Sequence, residues 1–539
     1  MPKEIFVIGI GGTGMRCIES FVHLCAIGMF DETDVHLLAL DTDKNNGNFT
    51  RLKNLKEAYQ KTKGINKSHQ SLKNTFFSAN LHYYEFSPDY SRENSFESIY
   101  KYGDVKYANA DEAAIADLLF TDDVKTFDLK HGYRAQTHLG SMLMYHSIID
   151  EVKKGRNSGL KKFIENLVTN SSRGNPRIFI LGSVFGGTGA SSIPIIPRAI
   201  KEAAAVVSTA TDIEKNAYFG STLLTSYFSF KTPTDVEVRS QKIIASSDKF
   251  ALNSQAALMF YEADETVKKT YQKLYMIGTE SMEWKPSKNP DKTETGDSGQ
   301  ENYSHYIELL AAFAAYDFFN TSESNLEEIK LRNRTAVDNY RTEDSEPDYL
   351  YRTFNEDGKI EFIDFVGTEK RDEFAKKLGL FTVMSYFTLL ENYDFFVQAQ
   401  SGGLRRFKIV GYEDIDPEEV KFLKEYMSLF HFKFDEDNQK ILDGWLRQLH
   451  KSAGRGDKFM LNSDLFSPNS QKEFQNFRLN NKIYQSDFES KKYSTGIVGT
   501  IFGEFASEFI KSSDPNDVTN KIEKLIKRTY TTLCNLYNF

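Results

Sequence analysis

A chain of 539 residues, 40% hydrophobic and 27% charged, has material for an ample core and for two or three domains. Its net charge of −9 argues against sequence-independent nucleic-acid binding, so no direct nucleic-acid contact is expected. The three cysteines, Cys17, Cys25 and Cys534, lack metal-ligand spacing and fit a reducing cytoplasm without disulfides; with no charged-then-apolar leader and no run of about 18 apolar residues, neither secretion nor membrane spanning is expected.

Residues 4–8 read as a strand and run straight into Gly9-Ile10-Gly11-Gly12-Thr13-Gly14. Met15, Ile18, Phe21, Val22 and Cys25 then share one face of an amphipathic helix. A G-x-G-x-x-G between strand and helix is the setting of the dinucleotide fingerprint. A second strand over 35–40 ends in Asp41-Thr42-Asp43, acids placed to meet a ribose or to stand as solvated strand-end carboxylates. Taken alone, residues 4–43 favour an NAD-dependent oxidoreductase.

Residues 45–130, rich in Lys, Asn and Tyr with a short helix over 111–119, read as an exposed insertion on the sheet edge. It is either a surface for a protein partner or a folded elaboration with no binding role. Next comes Gly132-Tyr133-Arg134-Ala135-Gln136-Thr137-His138-Leu139-Gly140, a glycine-bounded loop leading into a helix over 142–154.

The apolar run 177–181 reads as a buried strand that opens into Gly182-Ser183-Val184-Phe185-Gly186-Gly187-Thr188-Gly189-Ala190-Ser191-Ser192. Without Cβ atoms its backbone can turn sharply and bring N–H groups close to a ligand. Thr188, Ser191 and Ser192 add hydroxyls, and Ala190 starts a helix whose positive end favours an anion. One such turn suffices for a pyrophosphate; three at successive strand ends suit a triphosphate. No G-x-x-x-x-G-K-[ST] occurs, which sets P-loop NTPases aside.

These motifs, in this order, resemble the tubulin/FtsZ superfamily of GTP-binding filament proteins, in particular its divergent bacterial tubulin-like branch. The loop with Gly11, Gly12, Thr13 and Gly14 is similar to the first phosphate loop of FtsZ. Asp41-Thr42-Asp43 is similar to the acidic pair that lies near magnesium. The loop carrying Gly132, Arg134 and Gly140 is similar to the one that senses the γ-phosphate. Gly186, Gly187, Thr188, Gly189 and Ala190 resemble the family signature, which this chain leaves at Phe185 and again at Ser191 or Ser192. The likeness covers residues 4 to about 320.

The resemblance implies further roles. A strand over 218–230 is followed by Lys231-Thr232-Pro233, with Glu237 four residues beyond the proline as the ribose contact. A long helix over 247–273 carries Asn253, whose amide offers the donor and acceptor that a guanine edge requires. Family members supply catalytic acids to the neighbouring subunit from Gly-x-x-Asn-x-Asp-x-x-Asp/Glu. Here Gly299 and Asn302 keep that spacing, Ser304 replaces the acid, and Glu308 falls one residue late. Asn302 and Glu308 would orient and polarise the attacking water, with His305 in place of the missing aspartate. The alternative is a loop that only touches the neighbour, or a helix start.

Beyond about 345 the likeness fades. Residues 349–366 read as a hairpin around Asp357-Gly358. A helix over 374–396 and a strand over 407–412 complete an activation-like domain, and helices follow over 416–430, 439–452, 501–511 and 518–536. In the last, Ile522, Leu525, Ile526 and Tyr530 form a stripe.

The expected organisation is thus a parallel-sheet α/β GTP-binding domain over 1–245, with helices on both faces and an insertion at about 45–130. A central helix follows over 246–275, then an α+β activation-like domain over 276–412 with its catalytic-loop region at 296–308. A mainly helical region spans 413–539. The expected function is GTP/GDP binding with Mg2+ at Asp41 and Asp43, assembly with copies of itself into protofilaments, and hydrolysis completed by the neighbour's loop. A non-polymerising GTP-sensing module, with its C-terminal helices presented to a partner, and an NAD-binding Rossmann-type enzyme are the competing readings.

Overall fold

The computed structural model describes residues 2–63, 72–155, 157–209, 213–234, 246–279, 298–300, 302–338, 347–354, 417–430 and 521–537, with single positions between 370 and 385 and between 508 and 515. Seven strands form one sheet in the order β3-β2-β1-β4-β5-β6-β7, every pairing parallel. They are β1 Glu4–Ile10, β2 Asp34–Leu40, β3 Asn80–Phe86, β4 Arg177–Leu181, β5 Tyr218–Leu224, β6 Tyr271–Thr279 and β7 Asp348–Phe354.

Alternation along the strands feeds two cores. Ile5, Val7, Leu37, Ala39 and Phe179 face one helical layer. Phe6, Ile8, Leu38, Leu40, Ile178 and Ile180 face the other. Being covered on both sides, β4 and β5 are buried throughout, although β5 carries Gly220, Ser221 and Thr222 at its centre.

The first layer holds α1 Gly11–Ala26 and α2 Gly47–Thr62, whereas the second holds α7 Thr137–Lys153, α8 Gly159–Ser171 and α10 Ile196–Val207. Between them in sequence come α3 Phe96–Tyr100, α4 Tyr102–Ala108, α5 Ala110–Leu119, α6 Asp122–Thr126 and α9 Thr188–Ser192, and α11 Ile213–Asn216 follows. Beyond β5 the chain forms α12 Phe250–Ala263, α13 Glu265–Thr270, α14 Tyr306–Asn320, α15 Glu323–Asp338, α16 Pro417–Phe430 and α17 Lys521–Tyr537.

Three expectations change. Residues 45–130 are not an appendage. Within them α2 buries Leu52, Leu55 and Tyr59, and β3 pairs with β2 along its whole length, leaving only α3 to α6 as an elaboration. No single helix spans 246–275: α12 stops at Ala263, Asp264 caps α13 through Val267 N–H at 2.9 Å, and β6 begins at Tyr271. The side-chain cap restarts the chain in a new direction, and Tyr271, Tyr275 and Ile277 extend the sheet beyond β5 as part of β6. The central position belongs to α14, buried along nearly its whole length between α1 and strands β4 to β6.

Strand β7 pairs parallel with β6; the remainder of the expected 349–366 hairpin, together with 407–412 and 439–452, lies outside the described residues. The C-terminal elements described here are packed inward. Leu423, Tyr426, Met427 and Phe430 of α16 and Ile522, Leu525 and Ile526 of α17 join the first core. The Tyr426 hydroxyl also meets His23 Nδ1 of α1 at 2.8 Å. Among the described residues, no helix is long and apolar enough to cross a membrane.

Candidate functional site

In chain order the sheet runs outward from β1 to β3 and then returns to place β4 beside β1. Loops leaving the carboxyl ends of β1 and β4 therefore diverge, and a crevice opens between them. A cavity lies at that crevice. Four loops reach it, three of them glycine-bearing, through Gly11, Gly12 and Thr13, through Asp41 and Asp43, through Gly132 and Arg134, and through Gly186, Gly187, Thr188 and Gly189.

Thr188 is where they meet. Its hydroxyl lies 3.4 Å from that of Thr42. A Cβ on Gly11 would stand 3.5 Å from Thr188 Cβ, and one on Gly132 would stand 3.8 Å from Thr188 Oγ1. The closest approach is at Gly187, where a Cβ would sit 2.8 Å from Ala135 N and 3.0 Å from Arg134 N. Facing it, Arg134 and Ala135 both hold positive φ, 44° and 64°, a conformation L-residues adopt at a cost of about 1–3 kcal/mol each. Such strain persists only where packing enforces it, and here it sets the backbone nitrogens of both residues beside the cradle.

One wall is the first turn of α1. Its N-cap, Ile10, makes no side-chain cap, so the turn's N–H groups face the cavity without a capping oxygen, a setting that favours an anion. Another wall is apolar, made of Phe185, Phe228, Phe230 and Phe250, with Phe185 and Phe250 ring centroids 4.7 Å apart. Amides of Asn46, Gln300 and Asn302 complete the lining. Gln300 and Asn302 are each pinned to the start of α2: Asn46 Nδ2 donates to Gln300 Oε1 at 2.5 Å, Asn48 N to Gln300 O at 3.2 Å, and Asn302 N to Asn48 Oδ1 at 3.0 Å.

Asp41 is 4% exposed. Its Oδ1 accepts weakly from Asp43 N–H at 3.4 Å, and its Oδ2 has no partner. Burial pushes its pKa up to about 7, against the opposing pull of the Asp43 and Thr42 N–H groups. A buried, half-satisfied carboxylate beside a second one fits a divalent cation. Mg2+ usually takes one or two protein carboxylates and fills its shell with water and phosphate oxygens. Among the described residues, no group of three or more His, Cys, Asp or Glu side chains gathers as a metal site, so two aspartates are what the protein offers.

Several expected site residues stand elsewhere. Gly14 packs behind the first loop, where a Cβ would lie 2.7 Å from Leu181 O, and Gly140 packs in the same manner against Tyr133 and Ser191. Ala190 is buried, its carbonyl accepting from the Tyr261 hydroxyl at 2.7 Å. Asn253 is behind the cradle, donating to Phe185 O at 3.3 Å. Glu237 lies outside the described residues.

The largest change concerns 302–308, most of which are buried within this chain. Asn302 lines this chain's own cavity, whereas Glu308 is fully buried and His305 nearly so. Glu308 accepts from Arg16 Nε at 2.5 Å and from the Tyr227 hydroxyl at 2.8 Å; its other oxygen accepts from His305 N–H at 2.9 Å. His305 in turn caps Ile307 N–H through Nδ1, and burial, reinforced by Arg16, holds its pKa well below the usual histidine range. The two residues form a capping box for α14 and an internal counter-charge for Arg16. A buried carboxylate already satisfied by three donors has little freedom to polarise water in another molecule.

Sequence reading missed Arg16, Asn46, Tyr133, Ser183, the four phenylalanines and Gln300 in the lining. Arg16 could not be found locally, because the acid that neutralises it is 292 residues away. The phenylalanines carried a usable signal, since Phe228 and Phe230 follow directly on the end of β5.

No protein-family model matches the chain, and no curated protein does. Among solved structures it matches Clostridium botulinum phage c-st TubZ with its C-terminal tail truncated, at 11% identity and a TM-score of 0.24, over 61% of this chain. The chain spans 65% of the TubZ chain it matches. A likeness that low bears on neither ligand nor activity.

Proposed function

We propose that the chain is a tubulin/FtsZ-like GTP-binding protein that assembles with copies of itself. The observation that carries this reading is the meeting at Thr188 of four separate loops on one rim of a parallel sheet, in the order the sequence motifs lead one to expect. The α1 first turn and the cradle around Gly187 would hold the phosphates through backbone N–H groups, with Arg134 and Arg16 as cations in the lining. Asp41 and Asp43 would hold Mg2+, whose chemistry is to neutralise charge on the phosphate oxygens. The phenylalanine wall suits a planar base, with Asn302 and Gln300 placed to read its edge; this moves the base contact away from Asn253.

Turnover belongs to the same proposal with its roles redistributed. Asn302 can orient a water in the cavity, while His305 and Glu308 fix α14 and Arg16 in place. The acid that completes hydrolysis would come from the next copy. The test is to denature freshly purified protein, identify the released nucleotide by ion-exchange chromatography and mass spectrometry, then sediment the protein with GTP, GDP and a slowly hydrolysed analogue. Guanine nucleotide with GTP-dependent pelleting is the expected result. Bound NAD would overturn the assignment; GTP binding without pelleting at any concentration would leave a GTP-sensing module.

A further inference from the structure

The cradle is one-sided in its hydrogen bonding. Between Phe185 and Ile193 the carbonyls of Gly187, Gly189 and Ser192 accept backbone N–H groups of the turns that follow. Side chains take others: Asn253 Nδ2 donates to Phe185 O at 3.3 Å, the Tyr261 hydroxyl to Ala190 O at 2.7 Å, Ser141 Oγ to Ser191 O at 2.6 Å and the Tyr271 hydroxyl to Ile193 O at 2.5 Å. The N–H groups of Gly186, Gly187, Thr188 and Gly189, by contrast, donate to nothing among the described residues, and all four residues line the cavity.

A helix as short as α9 cannot satisfy its own last carbonyls, so donors from elsewhere hold it in place. They also set direction. In a planar trans peptide the C=O and the next N–H point opposite ways. Fixing Phe185 O against Asn253, which is outside the lining, therefore turns Gly186 N–H toward the cavity that Gly186 lines. Two of these donors, Asn253 and Tyr261, belong to α12, whose first residue, Phe250, stacks on Phe185 in the cavity wall. Tyr261 is 2% exposed, and a phenylalanine would fill the same space without a hydroxyl to desolvate. What the hydroxyl adds is its grip on a carbonyl 71 residues away.

We propose that Asn253 and Tyr261 are positioning residues for the phosphate site. They touch no ligand; by holding Phe185 O and Ala190 O they keep the N–H groups of residues 186–189 aimed at the phosphates. This rests on the nucleotide reading above, and it gives Asn253 a task at the back of the cradle in place of the base contact expected for it.

Tyr261→Phe and Asn253→Leu keep the bulk of each side chain and delete the donor. Displacement of a fluorescent GTP analogue by GTP, GDP and guanosine at fixed Mg2+ reads the site in pieces. Each variant should bind GTP and GDP roughly 3- to 10-fold more weakly, while guanosine, which has no phosphate, binds as it does to the parent. Joining Tyr261→Phe to Gly187→Ala should weaken GTP by less than the product of the two single effects, since both act on the same N–H groups. Asn253 is half-buried, so Asn253→Leu carries the test alone should Tyr261→Phe fail to fold. Guanosine weakened as much as GTP by Asn253→Leu would return Asn253 to the base edge and overturn the proposal. Unchanged GTP affinity, whatever the melting temperature, would reduce both residues to supports of the fold and overturn it as well. Either result leaves nucleotide binding standing; a parent that binds neither GTP nor GDP removes that reading and this one with it.

Discussion

Adjacent glycines in the cradle make opposite predictions. At Gly187 the backbone is ordinary, φ −77° and ψ −64°, so alanine is tolerated by the chain itself; what it meets is the 133–135 loop. Contacts of 2.8 and 3.0 Å fall about 0.4–0.6 Å short of ordinary van der Waals separation, and overpacking of that kind costs about 1–3 kcal/mol. The loop can yield by relaxing the positive φ of Arg134 and Ala135, so the cost should fall on the prearranged N–H groups more than on the fold. At about 1.4 kcal/mol per decade, Gly187→Ala should weaken GTP binding roughly 5- to 150-fold with little change in melting temperature. Gly186→Ala is the control, since its new Cβ would meet nothing nearer than Ser183 Oγ at 3.7 Å. Titration with a fluorescent GTP analogue at fixed Mg2+ measures both. Equal affinities for the two variants, or a loss only for Gly186→Ala, would refute the claim that this loop and cradle form a phosphate site.

Asp41, raised to about 7 in the folded protein against about 3.9 unfolded, has a defined pH signature. Its contribution to unliganded stability is complete below about pH 4 and is lost as pH rises through 7, on the order of 4 kcal/mol in all. Asp41→Asn should flatten that slope in melts between pH 5 and 8 and remove the stabilisation that Mg2+ with nucleotide gives the parent. Glu308→Ala strands the buried Arg16 guanidinium and should cost about 3–5 kcal/mol in urea unfolding; unchanged stability with lost hydrolysis would return Glu308 to catalysis. Tyr426→Phe removes the hydroxyl that reaches His23 and should cost about 1 kcal/mol, read from the urea midpoint, with GTP affinity unchanged.

Local chemistry alone determined a good deal here. The run from Ile178 to Leu181 had to be a strand covered on both faces, because apolar side chains at every position leave no polar face for water. Gly9 to Gly14 and Gly186 to Gly189 had to be places where backbone approaches something closely. Period, glycine and strand-end chemistry act over a few residues, so one chain displays them. What tertiary structure decided was reach. Residues 45–130 read as polar excess until β2 supplied partners for β3. Residues 271–275 closed the expected central helix until the sheet offered β6 six backbone pairings along Phe219 to Leu224. Glu308 fell one residue late of a catalytic spacing as a string, yet charge neutralisation is decided by what lies within a few ångströms, and folding set it against Arg16. Desolvation made that pair inseparable: once both groups left water, each became the other's only affordable counter-charge.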